Sequence, residues 1–107
     1  MTVPDFSDWP EDASYRTRFS IDRQVWVDML RVFPGLGSCT RRQDELALWI
    51  KSGGLRLVPG RQVAWLRRAD GGWLALVLLP AASTNEAAHV TLQLWVEPDA
   101  ITTAPPQ

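Results

Sequence analysis

Apolar residues follow two different periods along the chain. In the first half they recur every three to four positions, at helical spacing, whereas from Leu55 onward they mostly alternate with polar residues, as in strands. This change of period predicts an α+β fold with two N-terminal helices packed on an antiparallel meander of three or four strands. An alternating stretch at residues 15–21 leaves open an additional N-terminal strand.

The first helix is predicted over residues 22–33. Ser20 or Asp22 can cap its start by accepting a hydrogen bond from a free backbone amide. Pro34 and Gly35 follow directly, and proline cannot continue a helix. The helical spacing is carried by Ile21, Val25, Trp26, Met29, Leu30, Val32 and Phe33.

A second helix is predicted over residues 41–52. Thr40 and Gln43 have the spacing of a capping box, in which each side chain satisfies one backbone donor at the helix start. Gly53 and Gly54 provide the C-terminal stop. The stripe expected to be buried consists of Leu46, Trp49 and Ile50.

Four runs predict the strands of the meander, at residues 55–58, 61–69, 73–79 and 89–97. The Pro59-Gly60 pair is a turn signal between the first two runs. The Asp70-Gly71-Gly72 segment predicts a hairpin between the second and third runs, because glycine adopts positive φ at no steric cost. Since the third run is apolar throughout, we expect it in the centre of the sheet with both faces covered.

Length and composition indicate one domain. The 107 residues are 46% hydrophobic and 21% charged, which is ordinary for a globular protein of this size. Six tryptophans supply enough apolar surface to form a core, so we expect that the fold needs no structural metal or disulfide bond. We predict a core over residues 15–98, with flexible arms at residues 1–12 and 99–107.

The sequence favours a cytoplasmic location. Cys39 is the only cysteine, so an internal disulfide is excluded and a reducing compartment fits best. Residues 1–20 carry four acids and no apolar run, unlike a signal peptide. No apolar run approaches the roughly 18 residues of a membrane-spanning helix.

Catalysis and cofactor binding find little support. A Cys39–His89 pair would need the fold to bring thiol and imidazole together, and nothing in their spacing indicates this, so an enzyme using Cys39 is the third-ranked hypothesis. Structural zinc needs about four Cys or His ligands, and the chain has two such residues. We therefore predict no enzyme activity, no metal and no cofactor.

The charged residues fall into three successive segments with an acidic, a basic and again an acidic excess. Residues 1–12 carry four acids and no base, residues 41–68 carry six arginines and one lysine against two acids, and residues 69–107 carry four acids and no Lys or Arg. Arg41 and Arg42 fall at the predicted start of the second helix, where acids are normally preferred. They predict an anion or acidic-partner site, unless Asp44 and Glu45 compensate them on a solvated surface.

Three aromatic residues are candidates for contact with a partner. Trp95 shares a strand face with Thr91 and Gln93, opposite the apolar residues, so it is exposed if helices cover one sheet face only. Phe6 and Trp9 lie in the acidic N-terminal arm, which resembles a short linear motif. The arm would dock either on a partner or on the chain's own basic middle segment. Trp26, Trp49 and Trp73 are assigned to the core, and strict alternation puts Trp65 on the face of Arg61, Val63 and Arg67.

These features favour a small non-enzymatic protein that binds another protein with an acidic surface. An adaptor, an immunity or antitoxin-like protein, and a phage or mobile-element inhibitor of a bacterial host system all fit. The predicted partner-binding residues are Arg41, Arg42, Arg67, Arg68, Trp95, Phe6 and Trp9.

The alternative is a nucleic-acid-binding regulator with winged-helix order: helix, turn, helix, then a hairpin with basic residues. Its weak points are a connecting turn longer than usual and a net charge of −1, where DNA-binding domains are commonly basic. A homodimer also stays open, and the sequence does not identify the partner.

Overall fold

The computed structural model describes residues 6–9, 16–33, 48–49, 57–83 and 85–104. Antiparallel strands dominate these residues. The elements in chain order are β1 (Arg18–Asp28), α1 (Met29–Val32), β2 (Leu48–Trp49), β3 (Leu57–Arg67), β4 (Trp73–Ser83), β5 (His89–Val96), the 3₁₀ turn Pro98–Ala100 and β6 (Ile101–Thr102).

All six strands belong to one sheet, with β4 near its centre. One side of β4 pairs with β3 and, near its C-terminal end, with β2, while β5 also pairs with β4. Beyond β3 come β1 and then β6. Along the main body the order is therefore β5-β4-β3-β1-β6.

The prediction of two helices packed on a meander is wrong for the described residues. Residues 22–28, assigned to the first helix, continue β1, which pairs with β3 along its length. Val25, Val27 and Met29 are all buried, and this two-residue alternation belongs to a strand. The same residues also satisfy a helical spacing, and the backbone hydrogen bonds offered by β3 decide between the two patterns.

Of the helix predicted over residues 22–33, only Met29–Val32 is helical, and these residues form the single turn α1. Its cap is Asp28, whose carboxylate accepts a hydrogen bond from the backbone N–H of Leu30 at 3.2 Å. The cap therefore lies eight or six residues beyond Ser20 or Asp22, the two candidates proposed for it. Helix formation begins where β1 ends.

The second predicted helix, residues 41–52, falls mostly outside the described residues. Leu48 and Trp49 are described, and they form β2, paired with Ser83 and Ala82 of β4. A helix continuous through these two positions is therefore wrong.

The turn predicted at Pro59-Gly60 is also wrong, because β3 runs straight through it. Pairing with β4 begins only at Arg61, so on that side of β3 none of the described strands pairs with Pro59, and proline is tolerated where no ladder hydrogen bond is needed. Gly60 lies opposite Val25 and close to Val77 and Leu79. Glycine allows this close approach of the backbone to the core.

Three strand predictions are confirmed. β3 and β4 pair antiparallel across the Asp70-Gly71-Gly72 turn, and Gly71 has a φ of +92°. Residues 75–79 of β4 are all buried, as expected of a central strand. The optional N-terminal strand joins the sheet as part of β1.

One side of the sheet, the concave face, holds the main core. The strands curl around it so that side chains from β1, β4 and β5 touch one another and α1. This cluster contains Val25, Val27, Met29, Ala75, Val77, Leu79, Val96 and Ala100.

The connection between β5 and β6, residues 97–100, is called the crossover here. It joins the two outermost strands of the main body. Val96 lies in the same cross-strand row as Ala75, Trp65 and Phe19, whereas Ile101 pairs with Val27, eight residues further along β1. On a flat sheet, four strand spacings and this offset along β1 would separate the two ends of the crossover by about 30 Å. Five Cα–Cα steps reach at most about 19 Å, so the sheet must curl.

The opposite, convex face is also partly covered. The register assigns Ala64, Leu76 and Leu78 to it, and all three are buried. Among the described residues, Phe6 lies against this face through Trp95. The central strand therefore has apolar cover on both sides.

Gly60→Ala should destabilise the fold. A Cβ at this position would lie 2.9 Å from Val77 Cγ1 and 3.2 Å from the Leu78 carbonyl oxygen. We expect the free energy of unfolding, measured in urea, to fall by about 1–3 kcal/mol, as in other overpacked cores.

Gly72→Ala is the matched control for this prediction. Its added Cβ would meet the exposed Asp70 Oδ1 at 3.2 Å. Movement of that side chain weakens one exposed hydrogen bond, from the Gly72 N–H, so the loss of stability should be smaller than at Gly60. Equal effects of the two substitutions would contradict the close approach at Gly60.

Candidate ligand-binding pocket

Three aromatic side chains converge at one end of the concave face. Phe19 of β1, Trp65 of β3 and Trp73 of β4 line a cavity of about 320 Å³, together with Pro98 of the crossover. The Phe19 and Trp73 ring centroids are 5.6 Å apart, with the rings tilted by 57°. The result is an apolar pocket whose walls come from three strands and the crossover.

Strand register explains why these rings meet. Trp65 pairs with Phe19 on one side and with Ala75 on the other, so all three side chains share a face. Trp73 is two residues before Ala75 and falls on that face as well. A bulge between Gln62 and Ala64 inserts one extra residue into β3, which reverses the alternation of faces after it and places Trp65 on the concave face.

An arginine lies over each ring of the pocket. The guanidinium carbon of Arg16 is 4.6 Å from the Phe19 centroid, that of Arg23 is 5.7 Å from Trp65, and that of Arg67 is 5.1 Å from Trp73. All are within the roughly 6 Å at which a cation is attracted by the ring face.

Arg23 is held in place by a buried amide. Its Nε donates to Oε1 of Gln62 at 2.8 Å, and Gln62 Nε2 donates to the Ala64 carbonyl at 3.2 Å. Gln62 is 0% exposed, so both bonds satisfy polar groups that water does not reach. The Arg23 guanidinium is thereby oriented by an amide, and no carboxylate among the described residues pairs with it.

The pocket is positively charged on its arginine side. Within the described part of the chain, no carboxylate forms a salt bridge with Arg23 or Arg67. Two cations beside an apolar cavity attract a ligand that combines negative charge with an apolar group.

The other side of Trp73 and Pro98 has acidic residues, in an adjoining depression lined also by Asp70, Glu97 and Asp99. These acids are paired. Arg68 contacts Asp70 at 2.6 Å and Glu97 at 3.2 Å. Asp99 accepts from Arg31 at 3.0 Å. The field of the pocket is therefore asymmetric, with cations on one side and ion pairs on the other.

The predicted basic residues have separate roles in the structure. Arg67 lies at the pocket over Trp73, whereas Arg68 ties the hairpin turn to the end of β5 through Asp70 and Glu97. Arg41 and Arg42 lie outside the described residues. The expectation that Trp65 and Arg61 share a face is wrong, because the β3 bulge separates them.

Two of the three predicted aromatic residues, Phe6 and Trp95, meet on the convex face. Trp95 is 40% exposed, and the Phe6 ring packs edge-on against it with centroids 6.2 Å apart. The Arg18 guanidinium lies 5.0 Å from the Phe6 centroid, and Trp9 Nε1 donates to Thr17 Oγ1 at 3.0 Å. The described part of the arm therefore lies against the chain's own sheet. Whether these residues also bind a partner stays a prediction.

Sequence reasoning missed the pocket itself, namely Phe19, Trp65, Trp73, Pro98 and Arg23. One signal was present. In a strand, residues two apart share a face, so the Trp65 and Arg67 spacing already indicated an aromatic residue beside a cation. The other members come together only through strand pairing.

Two chemical candidates remain, Cys39 and His89. Cys39 lies outside the described residues, and His89 is exposed at the start of β5. Among the residues that the structure describes, no three His, Cys, Asp or Glu side chains cluster as metal ligands would. In the same part of the chain, no helix has both the length and the apolar character needed to cross a membrane.

Comparisons of the chain with protein-family models, with curated proteins and with solved structures gave no match.

Asp70→Asn should destabilise the hairpin in a pH-dependent manner. The backbone N–H of Gly72, at 3.0 Å, and then the Arg68 guanidinium hold the pKa of Asp70 below its usual value. A lowered carboxyl pKa contributes stability that is present above the unfolded-state pKa of about 3.9 and is lost as pH falls through the folded-state pKa. We expect urea unfolding to separate the variant from the wild type at pH 7, and the difference to vanish in strong acid.

Glu86→Gln makes the same charge change at an exposed loop residue and serves as the control. A stability difference for Asp70→Asn that stays constant from pH 7 into strong acid would contradict the role assigned to the carboxylate.

Proposed function

We propose that this chain is a small protein-binding module whose pocket receives an aromatic or proline side chain from an acidic segment of a partner protein. The observation that carries the proposal is the convergence of three aromatic rings with arginines over them on one side of the cavity. A cytoplasmic adaptor or an inhibitor of another protein would use such a site.

The apolar part of the proposal follows from the rings. A cavity of about 320 Å³ lined by Phe19, Trp65, Trp73 and Pro98 has room for a single large side chain. Aromatic-lined grooves also receive proline, which gains contact area with little loss of conformational entropy. Buried aromatic anchors of this kind supply most of the binding energy at protein interfaces.

The acidic part follows from the charges. Arg23 and Arg67 have no carboxylate partner among the described residues, whereas Asp70, Glu97 and Asp99 are already paired. Carboxylates flanking the inserted side chain would be favoured on the arginine side and disfavoured near the crossover. The ligand should therefore bind in one orientation.

The chain holds a segment of this chemistry on its own convex face. Phe6 comes from an arm whose residues 1–12 carry four acids, and its ring lies between Trp95 and the Arg18 guanidinium. At the pocket Phe19 likewise packs against Trp73, and each of the three rings has an arginine over it. This intramolecular contact supports an acidic aromatic segment as the ligand.

Single-stranded nucleic acid is the second candidate, because bases also stack on aromatic rings and guanidinium planes. The winged-helix form of this idea needed a helix over residues 22–33, most of which are in β1. Glu97 and Asp99 beside the pocket would repel a phosphate backbone that continued past Pro98.

The test is fluorescence anisotropy with four labelled probes. These are a nine-residue peptide with a central Trp flanked by Asp and Glu, the same peptide with Ala for Trp, the same with Lys for the acids, and a ten-nucleotide oligothymidylate. We expect only the acidic Trp peptide to bind with a Kd in the micromolar range. Tighter binding of the oligonucleotide would establish the second candidate instead.

Substitutions locate the binding site. Arg67→Gln and Trp73→Ala should each weaken the acidic Trp peptide at least tenfold, and the Arg67 effect should shrink at high salt. Arg61→Gln removes the same charge from an exposed arginine that pairs with Asp22, and it should leave the affinity unchanged. Equal losses in the two arginine variants would show that only net charge matters and would overturn the pocket assignment.

A further inference from the structure

Arg23 is anchored through a single nitrogen of its guanidinium. Its Nε donates to Gln62 Oε1 at 2.8 Å, and among the described residues neither Nη1 nor Nη2 has a hydrogen-bond or ion-pair partner. All the guanidinium donors other than Nε–H are on these two nitrogens. The half-buried side chain is therefore fixed in place while most of its donors stay available.

The hydrogen bonds of Gln62 show why an amide holds this arginine. The Arg23 Nε–H can only donate, so it requires Oε1, and the Ala64 carbonyl can only accept, so it requires Nε2. A carboxylate at this buried position would put an acceptor against that carbonyl and would neutralise Arg23. The amide instead fixes the guanidinium and leaves its positive charge uncompensated.

Strand pairing places this arginine at the pocket. Arg23 pairs with Gln62 across β1 and β3, in the same part of the ladder as the pocket pair Phe19–Trp65. Because Gln62 also pairs with Val77 of the main core, it lies on the concave face as well. The Arg23 guanidinium carbon is 5.7 Å from the Trp65 centroid, so the cation is beside one wall of the cavity.

We propose that Arg23 binds a carboxylate of the ligand through Nη1 and Nη2, and that Gln62 is its positioning residue. Since Nε is occupied, the bidentate contact that remains for a carboxylate is the one through the two Nη nitrogens. The ligand class is then an aromatic group with a carboxylate near its ring. This inference rests on the proposed function in placing the ligand in the pocket, and it adds which residue recognises the acid.

Arg67 has a different role in this proposal. Its guanidinium carbon is 5.1 Å from the Trp73 centroid, and among the described residues no hydrogen bond fixes its side chain. It therefore contributes positive charge, which lysine also supplies, whereas a bidentate contact needs the planar fork of arginine. Substitution to lysine should distinguish the two residues.

Nuclear magnetic resonance titration of the full chain with indole-3-acetate and indole-3-acetamide tests the proposal, because these probes share a ring and differ in charge. We expect indole-3-acetate to bind in the millimolar range and the amide about tenfold or more weakly, with only the acid moving the Arg23 Nε–H signal. Arg23→Lys should abolish this preference for the acid. Arg67→Lys, the matched control, should keep most of it.

Failure of indole-3-acetate to bind, equal affinity for the two probes, or equal loss of the preference in both lysine variants would each overturn the proposal. Binding of indole-3-acetate without binding of the acidic Trp peptide would retain the carboxylate site and reject the proposed function. Peptide binding without a preference between the probes would do the reverse.

Two measurements test the positioning role of Gln62. The Arg23 Nε–H should exchange with water more slowly than that of Arg67, which is also half-buried but lacks such an acceptor among the described residues. Gln62→Glu should reduce the preference for the acid, because the new carboxylate would pair with Arg23, whereas a purely structural role would weaken both probes equally. Equal exchange rates, or an unchanged preference in folded Gln62→Glu, would overturn the positioning role. If that variant does not fold, the exchange rates decide.

Discussion

The short crossover between β5 and β6 is the constraint on which the rest of the structure depends. Its two ends would be about 30 Å apart on a flat sheet, and five Cα–Cα steps reach at most about 19 Å. The sheet therefore curls, and the curl brings Val96 and Ala100 into one core with Val27 and Met29. A bulge in each of β1 and β3 accommodates this curvature.

The same constraint creates the pocket. The crossover closes the middle of the concave face, and Pro98 becomes one wall at the end where Phe19, Trp65 and Trp73 converge. Arginines on the strands then lie over the rings. The acids on the crossover pair with Arg68 and Arg31, but each of these arginines is shared with a second carboxylate, so that side keeps negative charge. Packing and charge thus yield an apolar cavity that is cationic on one side, which is the basis for proposing an acidic aromatic ligand.

The sequence predicted the parts of the fold that are determined by residues close together along the chain. The Asp70-Gly71-Gly72 hairpin and the buried run in β4 were predictable, because turn chemistry and continuous hydrophobicity are properties of neighbouring residues. Residues 22–28 fit both a helix and a strand, and only pairing with residues of β3 that lie 29 to 39 positions further along the chain decides between them. The pocket escaped prediction for the same reason: a bulge reverses the face of Trp65, and three strands must pair before its rings meet.

The most direct test of the account is to follow the six tryptophan indole N–H signals by ¹⁵N NMR while the acidic Trp peptide is added. Ring-current and contact effects should move the signals of Trp65 and Trp73, which line the pocket, and leave Trp95 on the convex face in place. Movement of the Trp95 signal without any change at Trp65 and Trp73 would contradict the claim that the curled sheet forms the binding site on its concave face.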